Sequence, residues 1–225
     1  MDQKVEAELT RAGLELREDA DGLILEGDGM RLHASFDDMK RRLLHGKLNS
    51  ELLVRAARVK GVAVPTLVDA TAGLGQDSLL LAAAGFSVTL LECNPVIAAM
   101  LADAVEQARR DPELVDAAER MRVIEGDSLK VLRDLSMLPD VVYLDPMFPG
   151  RTKSAAVKKK FQLLHRLEAP CDDETALLEA ARAAHPRKIV IKRPIKGPYL
   201  AGVKPDYTLQ GKAVRYDCIV MARES

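Results

Sequence analysis

The chain has no tryptophan and only four phenylalanines and four tyrosines among 225 residues. An aromatic ring placed in a loop is therefore informative. Only three cysteines occur, Cys93, Cys171 and Cys218. They are odd in number, far apart and without metal spacing, which excludes a disulfide framework and fits a reducing compartment. The four histidines, His33, His45, His165 and His185, are isolated. They show no ligand spacing, so no metal site is expected and they read as surface or packing residues. No apolar run nears the roughly 20 residues of a membrane span, and the segment MDQKVEAELTR lacks the apolar core of a secretion signal. The expectation is a cytoplasmic protein with no membrane partner.

What is present is ordinary in bulk: 48% apolar residues, 30% charged residues and a net charge of -1. That composition describes a globular chain long enough for one large domain, or a domain with a small accessory piece. The protein is no polycation, yet its charge is uneven. KRRLLHGK (40–47), RTKSAAVKKK (151–160) and PRKIVIKRPIK (186–196) contain no acid, while acids collect in 17–28, 103–120 and 168–179. Basic strips on a neutral chain are compatible with a polyanionic partner. Taken singly, each also reads as a solvated face.

Residues 1–36 have short apolar pairs broken by Asp21-Gly22 and Gly27-Asp28-Gly29, which are hairpin-turn signals. They predict a small β-meander. Apolar residues at helical spacing follow over 37–59, interrupted near Gly46, with Ser50 as an N-cap and Gly61 as a stop. The pattern then alternates. Strands are predicted at 66–71, 87–92, 122–127, 140–145 and 188–193, with helices at 76–85, 95–110, 128–135 and 172–185. The end reads as an antiparallel hairpin around Gly211-Lys212. Alternating strands and helices imply a mostly parallel sheet covered on both faces. The expected class is α/β, with a small N-terminal α+β region at 1–60 and a seven-stranded Rossmann-like domain at 61–225.

The first strand-to-helix loop, VDATAGLGQDS (68–78), carries Gly73 and Gly75, with Ser78 where a dinucleotide fingerprint has its third glycine. Acids end successive strands: Asp69, Glu92 and Asp127, the last followed by Ser128. An acid after the second strand suits the ribose hydroxyls of an adenosine. Asp127 and Ser128 suit an adenine amine, or simply cap the next helix. The loop has no Lys or Arg for a phosphate, although backbone N–H groups can hold one unaided. An acid-lined edge favours a cofactor with ribose, adenine and positive charge, as in S-adenosyl-L-methionine. An NAD-dependent oxidoreductase is the rival.

The fourth strand ends in VVYLDPMFPGR (141–151). Pro146 forces Asp145 into extended backbone and removes a ladder donor. Asp145, Pro146 and Phe148 read either as a stiff turn or as a catalytic lip. A lip of this kind suits methylation of an exocyclic base amine. A carboxylate and a carbonyl orient the amine, and Phe148 stacks on the base.

Four stretches, DATAGLGQD, LLECNPVIAAML, VVYLDPMFPGRTKSAAVKKK and VIKRP, resemble the bacterial ribosomal RNA small subunit methyltransferase J family. The resemblance covers about residues 40–222. It implies a class I methyltransferase fold, S-adenosyl-L-methionine as cofactor, and N2 methylation of a guanosine in 16S rRNA. A DNA or other RNA amine is the nearer alternative substrate. Carried over by position, cofactor contacts fall on Gln76, Asp77, Glu92, Cys93, Asp127, Ser128 and Asp145. This chain differs from the family pattern at 76 and 93, where arginine is expected, and at Asp127, where a small polar residue is expected. The resemblance also gives the basic residues a partner, 16S rRNA or the small ribosomal subunit. Arg151, Lys153, Lys158, Lys159, Lys160, Lys192 and Arg193 become candidates to hold its phosphates.

Overall fold

The computed structural model describes residues 2–43, 48–146, 161–167, 171 and 173–222. Phe148, Arg151, Lys153, Lys158, Lys159 and Lys160 lie outside the described residues.

The chain starts with a helix, α1 (Gln3–Ala12). Its ends explain it. The Asp2 side chain accepts from the Lys4 N–H, and Gly13 closes the helix at φ 62. A three-stranded meander follows: β1 (Glu15–Asp19), β2 (Gly22–Gly27) and β3 (Met30–His33), antiparallel in the order β1-β2-β3. The Asp-Gly turn and the Gly-Asp-Gly turn connect it as expected. Helices α2 (Asp37–Leu43) and α3 (Leu52–Ala57) come next, with a 3-10 turn at Leu48–Ser50 between them. Ser50 is in that turn and does not cap α3. Glu51 holds the N-cap position without a capping side-chain bond, and α3 ends before Gly61.

The main sheet has seven strands. They are β4 (Thr66–Asp69), β5 (Ser87–Glu92), β6 (Met121–Glu125), β7 (Val141–Leu144), β8 (Lys188–Pro194), β9 (Tyr207–Gln210) and β10 (Val214–Val220). Their order is β6-β5-β4-β7-β8-β10-β9, parallel through β8, with β10 antiparallel to both β8 and β9. The connecting helices are α4 (Gln76–Ala83), α5 (Pro95–Arg110), α6 (Val115–Ala118), α7 (Ser128–Val131), α8 (Phe161–Leu164) and α9 (Glu174–Ala183). The central strand β7, VVYL, is an unbroken apolar run because both of its faces are covered. Along β7, Val141 and Tyr143 join the core beneath α4 and α5, while Val142 and Leu144 join the core beneath α9.

The N-terminal segment shares the first of these cores. Val5, Leu9, Leu25 and Leu32 belong to one buried cluster with Leu101 and Leu90. Polar contacts reinforce the seam. The Leu23 N–H donates to Asp103 at 2.8 Å, and the Asn94 amide donates to Glu8 at 2.9 Å. Among the described residues, no helix is long and apolar enough to cross a membrane.

Candidate active site

Strand order reverses around β4, which has β5 on one side and β7 on the other. A crevice opens at the carboxyl ends of such strands, and the β4–α4 loop lies across it. Gly75 is the N-cap of α4 at φ +74, and an added Cβ there would lie 2.6 Å from a Leu101 methyl carbon. That position admits only glycine, because the loop packs tightly on the core. Gly73 also has positive φ, +53, but nothing lies within 4 Å of where its Cβ would stand. Its open side is where a ligand can approach the backbone.

Asp69 does not face that opening. It is 2% exposed. One oxygen accepts from the Thr71 N–H at 3.1 Å and the other from the Ser78 hydroxyl at 2.6 Å. The expected cofactor contact is thus corrected: Asp69 braces the loop from below. Ser78, in the place of the missing third glycine, supplies the other half of that brace. Burial pushes the Asp69 carboxyl up to about 7 against the opposing effect of these two bonds.

Glu92, at the end of β5, accepts from the Gly73 N–H at 3.0 Å and from the Asn94 N–H at 2.8 Å. It ties the glycine loop to the start of α5. Asn94 in turn caps α5 through the Val96 and Ile97 N–H groups. Gln76 and Cys93 are exposed at the same rim. Burial and the neighbouring Glu92 carboxylate push the Cys93 thiol up. Asp127 caps α7 by accepting from the Leu129 N–H at 3.0 Å, with Ser128 beside it as the first helical residue. Of the two sequence readings of Asp127, the helix cap is the one this geometry shows.

Asp145 follows β7 at the same edge. Its N–H donates to the Thr71 hydroxyl at 2.7 Å, and the Ala70 N–H donates to the Tyr143 carbonyl at 3.0 Å. The glycine loop and the Asp-Pro segment are thereby locked together. Pro146 is buried. The Asp145 carboxylate lies 2.9 Å from the Lys192 ammonium, which lies 2.7 Å from Asp77. Asp77 also accepts from the Tyr143 hydroxyl at 2.7 Å. Burial raises the Asp77 carboxyl, but Lys192, Tyr143 and nearby Arg42 outweigh it and hold it below its ordinary value. Burial lowers Lys192, but Asp145 and Asp77 outweigh it and hold it well above an ordinary lysine. Burial, with Asp77 and Asp145 close by, raises Tyr143 far above a free tyrosine.

Two residues expected at RNA phosphates have other work. Lys192 is the cation between Asp77 and Asp145. Arg193 is 1% exposed, donating to Glu174 at 2.7 Å and to the Pro198 carbonyl at 3.1 Å. Burial removes it from any polyanion, and it is a buttress of the following loop. The sequence reading missed Thr71 and Tyr143. A hydroxyl inside the apolar run VVYL was the available signal for the second. Among the described residues, no group of three or more His, Cys, Asp or Glu is placed to hold a metal ion.

A family model described as a putative SAM-dependent methyltransferase matches residues 2–221. The ribosomal RNA small subunit methyltransferase J of Thioalkalivibrio sulfidiphilus is 41% identical over 213 residues, 88% of this chain and 84% of that protein. The protein of the same name from Pseudomonas aeruginosa is 46% identical over 170 residues. That match covers 75% of this chain and 65% of the relative, a little under two thirds of its length. A crystal structure of a SAM-dependent methyltransferase from Neisseria gonorrhoeae superposes with a TM-score of 0.77 at 30% identity, covering 100% of this chain and 94% of that one. An rRNA methyltransferase from Streptomyces viridochromogenes, 19% identical, shares the fold with a TM-score of 0.52 over 77% of this chain and 84% of its own. The seven-stranded order, the acid-edged glycine loop and these likenesses agree: the chain belongs to the S-adenosylmethionine-dependent methyltransferases, in the ribosomal RNA small subunit methyltransferase J family.

Proposed function

We propose that the protein methylates the exocyclic N2 amine of a guanosine in 16S rRNA, in the cytoplasm, acting on the rRNA or the small ribosomal subunit. The observation that carries this reading is the fixing of Asp145. A hydroxyl holds its backbone and an ammonium holds one carboxylate oxygen, at the edge where the glycine loop opens.

The residues of the loop fit the cofactor. The open face of Gly73 admits a ligand against the backbone. Glu92, which the Gly73 and Asn94 N–H groups hold at the end of β5, is assigned to the ribose hydroxyls. Asp127 and Ser128 are assigned to the adenine amine. Gln76 and Cys93 flank the cradle, and Asp77 acts from behind it through Lys192. The segment 68–78 has two acids, Asp69 and Asp77, and no Lys or Arg, so nothing there repels a sulfonium. When bound, S-adenosyl-L-methionine supplies an electrophilic methyl carbon on a positively charged sulfur.

The protein's own part is orientation and charge. The N2 lone pair of guanine is delocalised into the ring and is a weak nucleophile. Asp145 uses the oxygen not held by Lys192 to accept one N2–H, and a backbone carbonyl of the Asp145-Pro146 turn accepts the other. Those bonds turn the lone pair toward the methyl donor and stabilise the positive charge that develops on nitrogen. The amine proton leaves to Asp145 or to water. Phe148 stacks on the base, and Arg151, Lys153 and Lys158 to Lys160 meet phosphates.

The test is to incubate methyl-labelled S-adenosylmethionine with unmodified small subunits, naked 16S rRNA and DNA, then digest to nucleosides. Label is expected in N2-methylguanosine from the ribosomal substrates. Label in another nucleoside, or in DNA, contradicts the substrate assignment.

A further inference from the structure

The segment from Pro194, the last residue of β8, to a 3-10 turn at Leu200–Gly202 is heavily anchored. The buried Arg215 side chain, on β10, donates to the carbonyls of Pro194, Ile195 and Gly197 at 2.7, 2.7 and 2.9 Å, and to that of Pro198 at 3.3 Å. Asp217 holds Arg215 from the other side at 3.0 Å. Arg193 adds a second bond to the Pro198 carbonyl, and its partner Glu174 accepts from the Ala201 N–H at 2.9 Å. Two buried guanidinium groups thus fix the path of a loop that has no ladder of its own. A loop merely linking two strands needs no such frame, since connecting segments normally remain mobile.

Its place is informative. Parallel pairing sets Leu144 against Ile191, so Asp145 and Lys192 are level and the loop begins just past them, on the same carboxyl edge. The frame presents two side chains outward. Lys196 is exposed, and no acid occurs between Lys188 and Lys204. Tyr199 is 40% exposed, with the Arg215 guanidinium 5.2 Å from its ring centroid. The guanidinium backs the ring and leaves the rest of it toward solvent. In a chain so poor in aromatics, this is a rigid stacking surface beside a lysine, the combination that single-stranded nucleic acid uses.

We propose that the Pro194–Gly202 loop is a preformed RNA-binding platform, with Tyr199 stacking on an unpaired nucleobase near the target guanosine and Lys196 meeting a backbone phosphate. The proposal rests on the rRNA reading above and gives that site a second point of grip, independent of the basic strip at 151–160.

The test measures binding of a naked 16S rRNA transcript by the full chain, with binding of S-adenosylhomocysteine and melting temperature as controls. Tyr199→Leu keeps an apolar cover over Arg215 but has no π face. It is expected to weaken RNA binding by about tenfold, within what one base–aromatic stack contributes, while cofactor-product affinity stays unchanged. Tyr199→Phe is expected to bind RNA like the parent. Tyr207→Ala removes a comparably exposed ring, 39% accessible, that lies over Lys188 at the other end of β8, and is expected to leave RNA binding unchanged. Lys196→Gln is expected to reduce the slope of log affinity against log salt by about 0.7. Parent-like RNA binding by Tyr199→Leu, or an equal loss with Tyr207→Ala, overturns the platform. An unchanged salt slope in Lys196→Gln removes the phosphate contact. If the parent binds RNA through Tyr199 yet forms no N2-methylguanosine, the function reading fails and the platform stands. The reverse pattern sinks only the platform.

Discussion

Replacing Lys192 by methionine separates the two roles that the sequence and the structure give this residue. The substitution keeps the side-chain length and removes the charge. It breaks ion pairs of 2.7 Å to Asp77 and 2.9 Å to Asp145, where the lysine side chain is only 19% exposed and Asp77 21%. Stranding a carboxylate in a fully buried pair costs about 3–5 kcal/mol. The Tyr143 hydroxyl still serves Asp77, so a loss of about 2–3 kcal/mol is expected, equivalent to roughly 4–12 °C in melting temperature for a chain of this size.

The pH dependence has a definite sign. The depressed Asp77 contributes stability that is present above the ordinary 3.8 and lost as pH falls through its folded value. The raised Lys192 contributes stability present below the ordinary 10.5 and lost as pH rises through its folded value. The gap between parent and Lys192→Met is therefore widest from about pH 4 to 10 and closes in acid. Thermal unfolding across that range measures it. Adding Asp77→Asn to the variant is expected to recover part of the loss, because only the more exposed Asp145 carboxylate is then left without the ammonium. Methyl transfer under saturating RNA is expected to fall, since Asp145 loses the group that fixes its carboxylate. A Lys192→Met protein with parental melting temperature and rate, but weaker RNA binding and a shallower salt slope, would refute this reasoning and restore Lys192 as a phosphate contact.

Two further substitutions probe the cradle. Glu92→Gln is expected to weaken S-adenosylhomocysteine binding by roughly ten- to a hundredfold, the range of a charge-assisted hydrogen bond. Calorimetric titration reads it, and parental affinity removes Glu92 from the ribose site. Asp69→Asn removes a buried carboxyl whose folded value is about 7. The native chain then binds more protons than the unfolded one between 3.8 and about 7, so the parent loses stability as pH rises through that window. Chemical denaturation of the Asn variant is expected to show a flatter profile over the same window. An unchanged profile means that Asp69 is ionised in the folded protein throughout.

The parallel core was legible because each strand is an apolar run bounded by glycine, proline or an acid. The run SVTLLE matches β5 (Ser87–Glu92), and PVIAAMLADAVEQARR matches α5 (Pro95–Arg110). Helix α1 was not read, although Asp2 and Gly13 are serviceable cap signals. Its buried face is only Val5, Leu9 and Ala12, and charge masks so thin a stripe. At the site, the strand-end positions of Glu92, Asp127 and Asp145 could be read from pattern alone. The partners could not. Asp77 and Lys192 are separated by 115 positions, and only the strand register brings Lys192 level with Asp145. Arg193 looked like its neighbour in sequence, yet alternation along β8 sends the two side chains to opposite faces. One reaches the acids of the crevice and the other Glu174.

Asp145, held by Thr71 and Lys192, is proposed to orient the guanosine amine for methyl transfer. Single-turnover formation of N2-methylguanosine in unmodified small subunits tests it most directly, comparing the parent with Asp145→Ala at saturating S-adenosylmethionine. No labelled N2-methylguanosine is expected from the variant, with S-adenosylhomocysteine affinity within a few-fold of the parent (~1 kcal/mol at most). Methyl transfer by Asp145→Ala at the parental rate would contradict it.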